Sequence, residues 1–141
     1  MAGPINVRLP RNVEGALDAY VRRVRGHKST VIAQAVDEWL RLQAHPQIRF
    51  VTPVAGMRRA ALVDGPEVWS VAEAWLQFRE SDRTVAAVAE ATGLRTGQVE
   101  AALSYWADNR DEIDGVIDFI HEQQAAEYEA WCRRQALDVL L

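Results

Sequence analysis

The 141-residue chain is 49% apolar and 26% charged, which suits one medium domain or two small ones and leaves no run of the roughly 20 apolar residues that a membrane-spanning helix needs. Its net charge of −4 is uneven: residues 1–48 hold seven Arg/Lys against four acids, and residues 49–141 hold nine Arg against sixteen acids, a basic front on an acidic body. A single Cys132 excludes an intramolecular disulfide, and Met1-Ala2-Gly3-Pro4-Ile5-Asn6 lacks the basic start and apolar stretch of a signal peptide, so a cytoplasmic protein is expected.

Ile5, Val7 and Leu9 alternate with Asn6 and Arg8 before Pro10, the period-two pattern of a short half-buried strand. A first helix is predicted over residues 12–26, with an apolar stripe at Val13, Ala16, Leu17, Tyr20, Val21 and Val24 and Gly26 as its left-handed closing residue. A second is predicted over residues 29–43, capped by Ser29 and striped by Val31, Ile32, Ala35, Val36, Trp39 and Leu40. Two helices and five strand residues are too few to cover these stripes alone, since cores below about 40–60 residues need help. Without disulfides or metal ligands, a symmetric dimer is the remaining solution. Antiparallel pairing of residues 5–9 in two copies would turn Ile5, Val7 and Leu9 inward, with Leu17, Ile32, Val36 and Trp39 completing the dimer core. Asn6 and Arg8 would then project outward from both strands.

Residues 4–43 resemble a ribbon-helix-helix DNA-binding domain, the dimeric fold of many bacterial repressors and antitoxins. The resemblance implies that the ribbon lies in the major groove with Asn6 and Arg8 as base readers. It also implies that Lys28, Ser29 and Thr30, at the start of the second helix, contact backbone phosphate. The chemistry suits both roles, because Arg pairs with guanine O6/N7, Asn pairs with adenine N6/N7, and free amides at a helix start favour an anion. Arg25-Gly26-His27-Lys28-Ser29 departs from the usual family spacing of Gly before the capping residue.

Beyond the Ala44-His45-Pro46-Gln47 break, Ile48–Val51 and Arg58–Val63 read as two strands punctuated by Pro53 and Gly56. Asp64-Gly65-Pro66 leads into a helix that places Pro66 at its first position, carries Val68, Val71, Ala72, Trp75 and Leu76, and ends near Glu80. Val85 to Tyr105 reads as helix, a turn at Thr92-Gly93-Leu94, then helix from Thr96, with Val88, Ala89, Leu94, Val99 and Ala102 around the crossing. Arg95, Thr96 and Gln98 are expected on its exposed side together with Glu100, Asp108, Asp111 and Glu112. That acidity points to a structural or protein-binding unit rather than a DNA-recognition helix. The tail carries Ile113, Val116, Ile117 and Ile120, then Tyr128, Trp131 and Leu137, ending Val139-Leu140-Leu141. Gly115 and the acidic residues weaken it as a helix. It reads either as a clamp for a partner groove, anchored by Tyr128 and Trp131, or as cover for its own core.

Residues 45–118 resemble a small domain of VapB-like bacterial antitoxins, through His45-Pro46-x-Ile48, Val54-Ala55-Gly56-Met57-Arg58-Arg59, Val99-Glu100-Ala101-Ala102-Leu103-x-Tyr105 and Glu112-Ile113-Asp114. Met57 stands where that domain often carries Thr. The resemblance implies a toxin partner with a PIN-like ribonuclease fold; Tyr128 and Trp131, the aromatic anchors of the tail outside the resembling segment, are the candidate toxin-binding residues. The expected architecture is mainly α with short β elements. Residues 1–43 form a ribbon-helix-helix domain, and residues 44–141 form a β-hairpin, a helix-turn-helix-like unit and a C-terminal tail. His27, His45 and His121 lie in separate segments, and the carboxylate runs Asp111-Glu112-x-Asp114 and Glu127-Tyr128-Glu129 lack a partner His, a phosphate loop or a nucleophile. No enzyme activity, cofactor or metal is expected. The expected function is that of a type II antitoxin that binds operator DNA as a homodimer or higher even oligomer, neutralises a PIN-like ribonuclease toxin and has no membrane partner. The alternative is a stand-alone ribbon-helix-helix repressor with a ligand-sensing or oligomerising second domain.

Overall fold

The computed structural model describes residues 3–54 and 57–140, with the side chain of Val54 excepted. It is mainly helical with one antiparallel hairpin, and it divides into two compact units between Ala44 and His45. Among the described residues, no helix is long and apolar enough to cross a membrane.

In the first unit, residues 3–10 carry no strand within the single chain. A strand is defined by a ladder partner, and residues 5–9 find none among the described residues of their own chain. Helix α1 spans Arg11–Val24 and helix α2 spans Lys28–Ala44. The left-handed residue that closes α1 is Arg25 (φ 53°), not Gly26 as the sequence suggested. The Arg25 N–H donates to the Arg22 carbonyl at 3.3 Å and the Gly26 N–H to the Val21 carbonyl at 3.1 Å, the paired bonds of a Schellman closure. Gly26 therefore fills the position after the left-handed one, one step later than the usual glycine. Ser29 does not cap α2 either: the first intrahelical bond runs from the Val31 N–H to the His27 carbonyl at 3.0 Å, which puts Ser29 and Thr30 inside the first turn.

The second unit begins with strand β1 (Ile48–Val54) paired antiparallel to strand β2 (Met57–Leu62). Ile48 lies opposite Leu62 and Phe50 opposite Ala60, and the register shifts between Val51 and Val54. Gly56, read as punctuation between the strands, lies outside the described residues together with Ala55, as does Leu141 at the end of the tail. Pro66 is not the first helical residue. Its carbonyl accepts from the Leu62 N–H at 2.9 Å, and Ala61 bridges Glu67, so the chain continues the sheet edge before helix α3 starts at Val68.

Helix α3 (Val68–Gln77) ends three residues earlier than expected, and a single 3-10 turn follows at Glu80–Asp82. Helix α4 (Val85–Thr92) is capped by the Thr84 hydroxyl, which accepts from the Ala87 N–H at 3.0 Å. It stops at Gly93, whose φ of 73° is a conformation that glycine adopts without strain. Helix α5 (Thr96–Asp108) then crosses back, and helix α6 runs without a break from Arg110 to Leu140. Gly115 does not interrupt α6, because Ile113 and Ile117 on either side of it are buried and pin that stretch down. Val68, Val71 and Ala72 of α3 are buried, as are Val88, Val99, Ala102, Tyr105, Ile113 and Ile117, and it is α3 and α5 that meet the hairpin. Leu76, expected in the α3 stripe, is exposed.

A polar knot joins the β2–α3 turn to the start of α5. The Arg95 guanidinium pairs with Asp64, Gln98 Nε2 donates to Asp64 Oδ1 at 3.1 Å, and Gln98 Oε1 accepts the Arg95 N–H at 2.9 Å. Gln98 is therefore buried and occupied, not on the exposed side of α5 where the sequence put it. A Cβ at Gly65 would lie 3.2 Å from Gln98 Nε2 and from Leu62, so a side chain there would push these neighbours back by a few tenths of an ångström. Hydrogen bonding from Arg95, then from Gln98, holds the Asp64 carboxyl below its ordinary range. A carboxyl whose folded pKa is depressed stabilises the fold above its unfolded value of about 3.9, and that contribution disappears as pH falls through the lower folded value. Thermal melts of wild type and Asp64→Asn should thus differ near neutrality and converge below about pH 3.9. A gap that stays constant through that range would remove Asp64 ionisation from the explanation.

Candidate nucleic-acid interface

The first unit gathers the charged residues that the sequence singled out. One groove is lined by Val7, Arg8, Leu9, Glu14, Lys28 and Ile32. It brings Arg8, on the segment before α1, together with Lys28 at the start of α2. Asn6, Arg8, Lys28, Ser29 and Thr30 are all exposed. The amides of Lys28, Ser29 and Thr30 precede the first intrahelical bond of α2, so they face the open end of the helix. A positive helix terminus beside two cations is the arrangement that takes an anionic oxygen.

Lys28 is already engaged. Its Nζ lies 2.9 Å from Asp18 Oδ1 and 3.7 Å from Glu14 Oε1. The hydrogen bond to Asp18 raises the Lys28 pKa against a smaller opposing effect of desolvation, so the ammonium stays charged at neutral pH. Glu14 and Asp18 were not among the residues expected at the site, although a signal was present. Residues four apart share one helix face, so two acids at that spacing on α1 mark an acidic edge ready to meet a cation from α2.

The apolar residues expected in a dimer core are also placed, and none of them is buried. No residue of α1 or α2 is buried in the single chain. Ile5 is 84% exposed, Trp39 59% and Val36 52%; Val7 and Ile32 are exposed as well, and Leu9 and Leu17 are half-buried.

In the second unit, α6 changes character along its length. Ile113 and Ile117 are buried, and His121 pairs with Glu73 of α3. Beyond that point Tyr128, Trp131, Leu137, Val139 and Leu140 are exposed. The Tyr128 and Trp131 rings stack on each other, with centroids 6.0 Å apart. The first three turns of α6 therefore cover the core of their own unit, and its later turns leave Tyr128, Trp131 and the aliphatic residues that follow exposed. Elsewhere, His45 is buried, pairs with Asp108 at 2.9 Å and meets the Tyr105 ring edge-on at 5.1 Å. Tyr105 donates to Glu112 at 2.7 Å and Trp106 Nε1 to Asp114 at 2.8 Å. These bonds engage Asp108, Glu112 and Asp114 within the unit itself. Among the described residues, no group of three His, Cys, Asp or Glu side chains is placed to hold a metal ion.

No protein-family model, curated protein or solved structure matches the chain.

Proposed function

We propose that this protein is the antitoxin of a type II toxin–antitoxin system, which binds operator DNA through a dimeric ribbon-helix-helix and neutralises a PIN-like ribonuclease toxin through its second unit. The observation that carries the DNA-binding half is the first unit itself. Two helices with uncovered apolar stripes follow a short alternating segment that has no ladder partner among the described residues of its own chain. A second copy supplies both missing parts, a strand for residues 5–9 and a cover for Ile32, Val36 and Trp39. In that dimer, Ile5, Val7 and Leu9 turn inward, and Asn6 and Arg8 read base edges. Lys28, Ser29 and Thr30 take phosphate. The toxin-binding half draws support from the exposed Tyr128–Trp131 pair, since aromatic anchors dominate many interfaces. The partner's ribonuclease fold comes from the resemblance of residues 45–118 alone.

The test is an electrophoretic shift on duplex DNA from upstream of the coding sequence, run beside co-purification with the product of the adjacent gene. Arg8→Ala should weaken specific binding by about 1–3 kcal/mol for each guanine that Arg8 reads, with the dimer intact. Trp131→Ala should release the partner protein and leave the shift unchanged. Wild-type affinity in Arg8→Ala would show that the segment before α1 is not the reader. An undiminished complex in Trp131→Ala would take the toxin away from the tail.

A further inference from the structure

We infer that Asp18 and Glu14 of α1 set the DNA affinity of the first unit, by holding Lys28 in the free protein until duplex phosphate displaces them. This rests on the DNA-binding function proposed for the same site. Three observations lead to it. Lys28 Nζ sits 2.9 Å from Asp18 and 3.7 Å from Glu14, both within reach of its charge. Glu14 lines the same groove as Arg8 and Lys28, so a carboxylate stands where an approaching phosphate oxygen would come. All three side chains are about half exposed, which leaves the pair weak enough to exchange for a better anion. Phosphate held by helix-start amides as well as by the ammonium is that better anion, because the amides add directed donors that the carboxylates do not use.

The energetics define a narrow effect. Exposed ion pairs of this kind change an equilibrium by about two- to five-fold. Phosphate contacts are numerous in protein–DNA complexes and position the protein without reading sequence. A Lys neutralised in advance therefore lowers affinity for any duplex and leaves the base contacts of Asn6 and Arg8 to carry more of the binding. The acids of α1 act on DNA through Lys28 and need not touch it.

The experiment is a double-mutant cycle on the full chain, read by anisotropy of a labelled duplex from upstream of the coding sequence at one fixed salt concentration. The variants are Asp18→Asn, Lys28→Met and the two combined, with Glu14→Gln as a further single change. Circular dichroism and sedimentation confirm that each keeps its helices and oligomeric state. Asp18→Asn should tighten binding about two- to five-fold when Lys28 is present, and clearly less when Lys28 is Met. Glu14→Gln should act in the same direction and more weakly, as its longer distance requires. Equal gains with and without Lys28 would mean that Asp18 only repels DNA at long range, which overturns the inference. Weaker or unchanged binding in Asp18→Asn overturns it too. If neither wild type nor any variant binds duplex, the DNA-binding function fails first, and that result is distinct from tight binding that ignores Asp18.

Discussion

Replacing Ile32 with Asp should make the chain monomeric and melt both α1 and α2, while residues 45–140 stay folded. Ile32 lies on the stripe of α2 and lines the groove with Val7 and Leu9, yet it is 39% exposed in the single chain. In a symmetric dimer it would be covered, and an unpaired carboxylate there costs several kcal/mol at each of two equivalent positions. The single-chain unit has no buried residue in either helix with which to absorb that penalty. Isolated helices of 14 and 17 residues are marginal in water. Sedimentation should therefore show a halved mass, and circular dichroism a drop in signal matching α1 and α2 together. The second unit has its own core, so its cooperative melt should persist. A variant that remains dimeric with full helicity would contradict the assignment of this stripe to the interface.

The second large effect lies at Arg59. Its side chain is 6% exposed beside the half-buried Glu67, with Nε 2.6 Å from Glu67 Oε1 and Nη2 donating to Glu67 Oε2 at 3.3 Å. The Nε approach is short but misaligned for a hydrogen bond, and Nη1 has no hydrogen-bond partner among the described residues. Coulomb attraction holds this pair, and its hydrogen bonding is incomplete. Arg59→Ala strands the Glu67 carboxylate in a largely covered position, which should lower stability by about 3–5 kcal/mol. Arg59→Met combined with Glu67→Leu removes both charges and keeps the volume, and it should fall within about 1–2 kcal/mol of wild type, since apolar replacement of an imperfect buried pair is often neutral. Chemical denaturation of the second unit reads both. Equal destabilisation by the single and the double change would show that packing by the Arg59 stem, not the stranded charge, sets the cost.

The sequence carried the elements well and the polar partners poorly. The stripes of α1 and α2 and the alternation of β1 were visible because they depend on local period. The turn at Gly93 showed in the same way, through the one residue type that suits a left-handed helix end. The end of α1 misled for the converse reason. Gly26 looked like the left-handed position, but Arg25 takes it, because the closing bonds from Arg25 and Gly26 depend on where the last turn of the helix stops. Gln98 looked exposed on the period of α5, yet Asp64, thirty-four residues earlier, draws it into the fold. Lys28 belongs to the expected phosphate contacts; the four-residue spacing of Glu14 and Asp18 marks an acidic edge on α1, but which cation meets that edge depends on how α1 and α2 pack. The same holds for α6: its face near Ile113 was legible as core, whereas the exposure of Tyr128 and Trp131 depends on where α3 ends its cover.

The central claim is that residues 5–9 are half of a strand pair completed by a second copy. Amide hydrogen exchange along that segment tests it most directly. In wild-type protein at concentrations where it sediments as a dimer, the alternate amides within residues 5–9 that donate across the pair should be protected to a degree that follows dimer population. In Ile32→Asp they should exchange as freely as an unpaired chain. Free-coil exchange at residues 5–9 in the intact dimer would contradict the account, because the segment would then have no ladder partner in either copy.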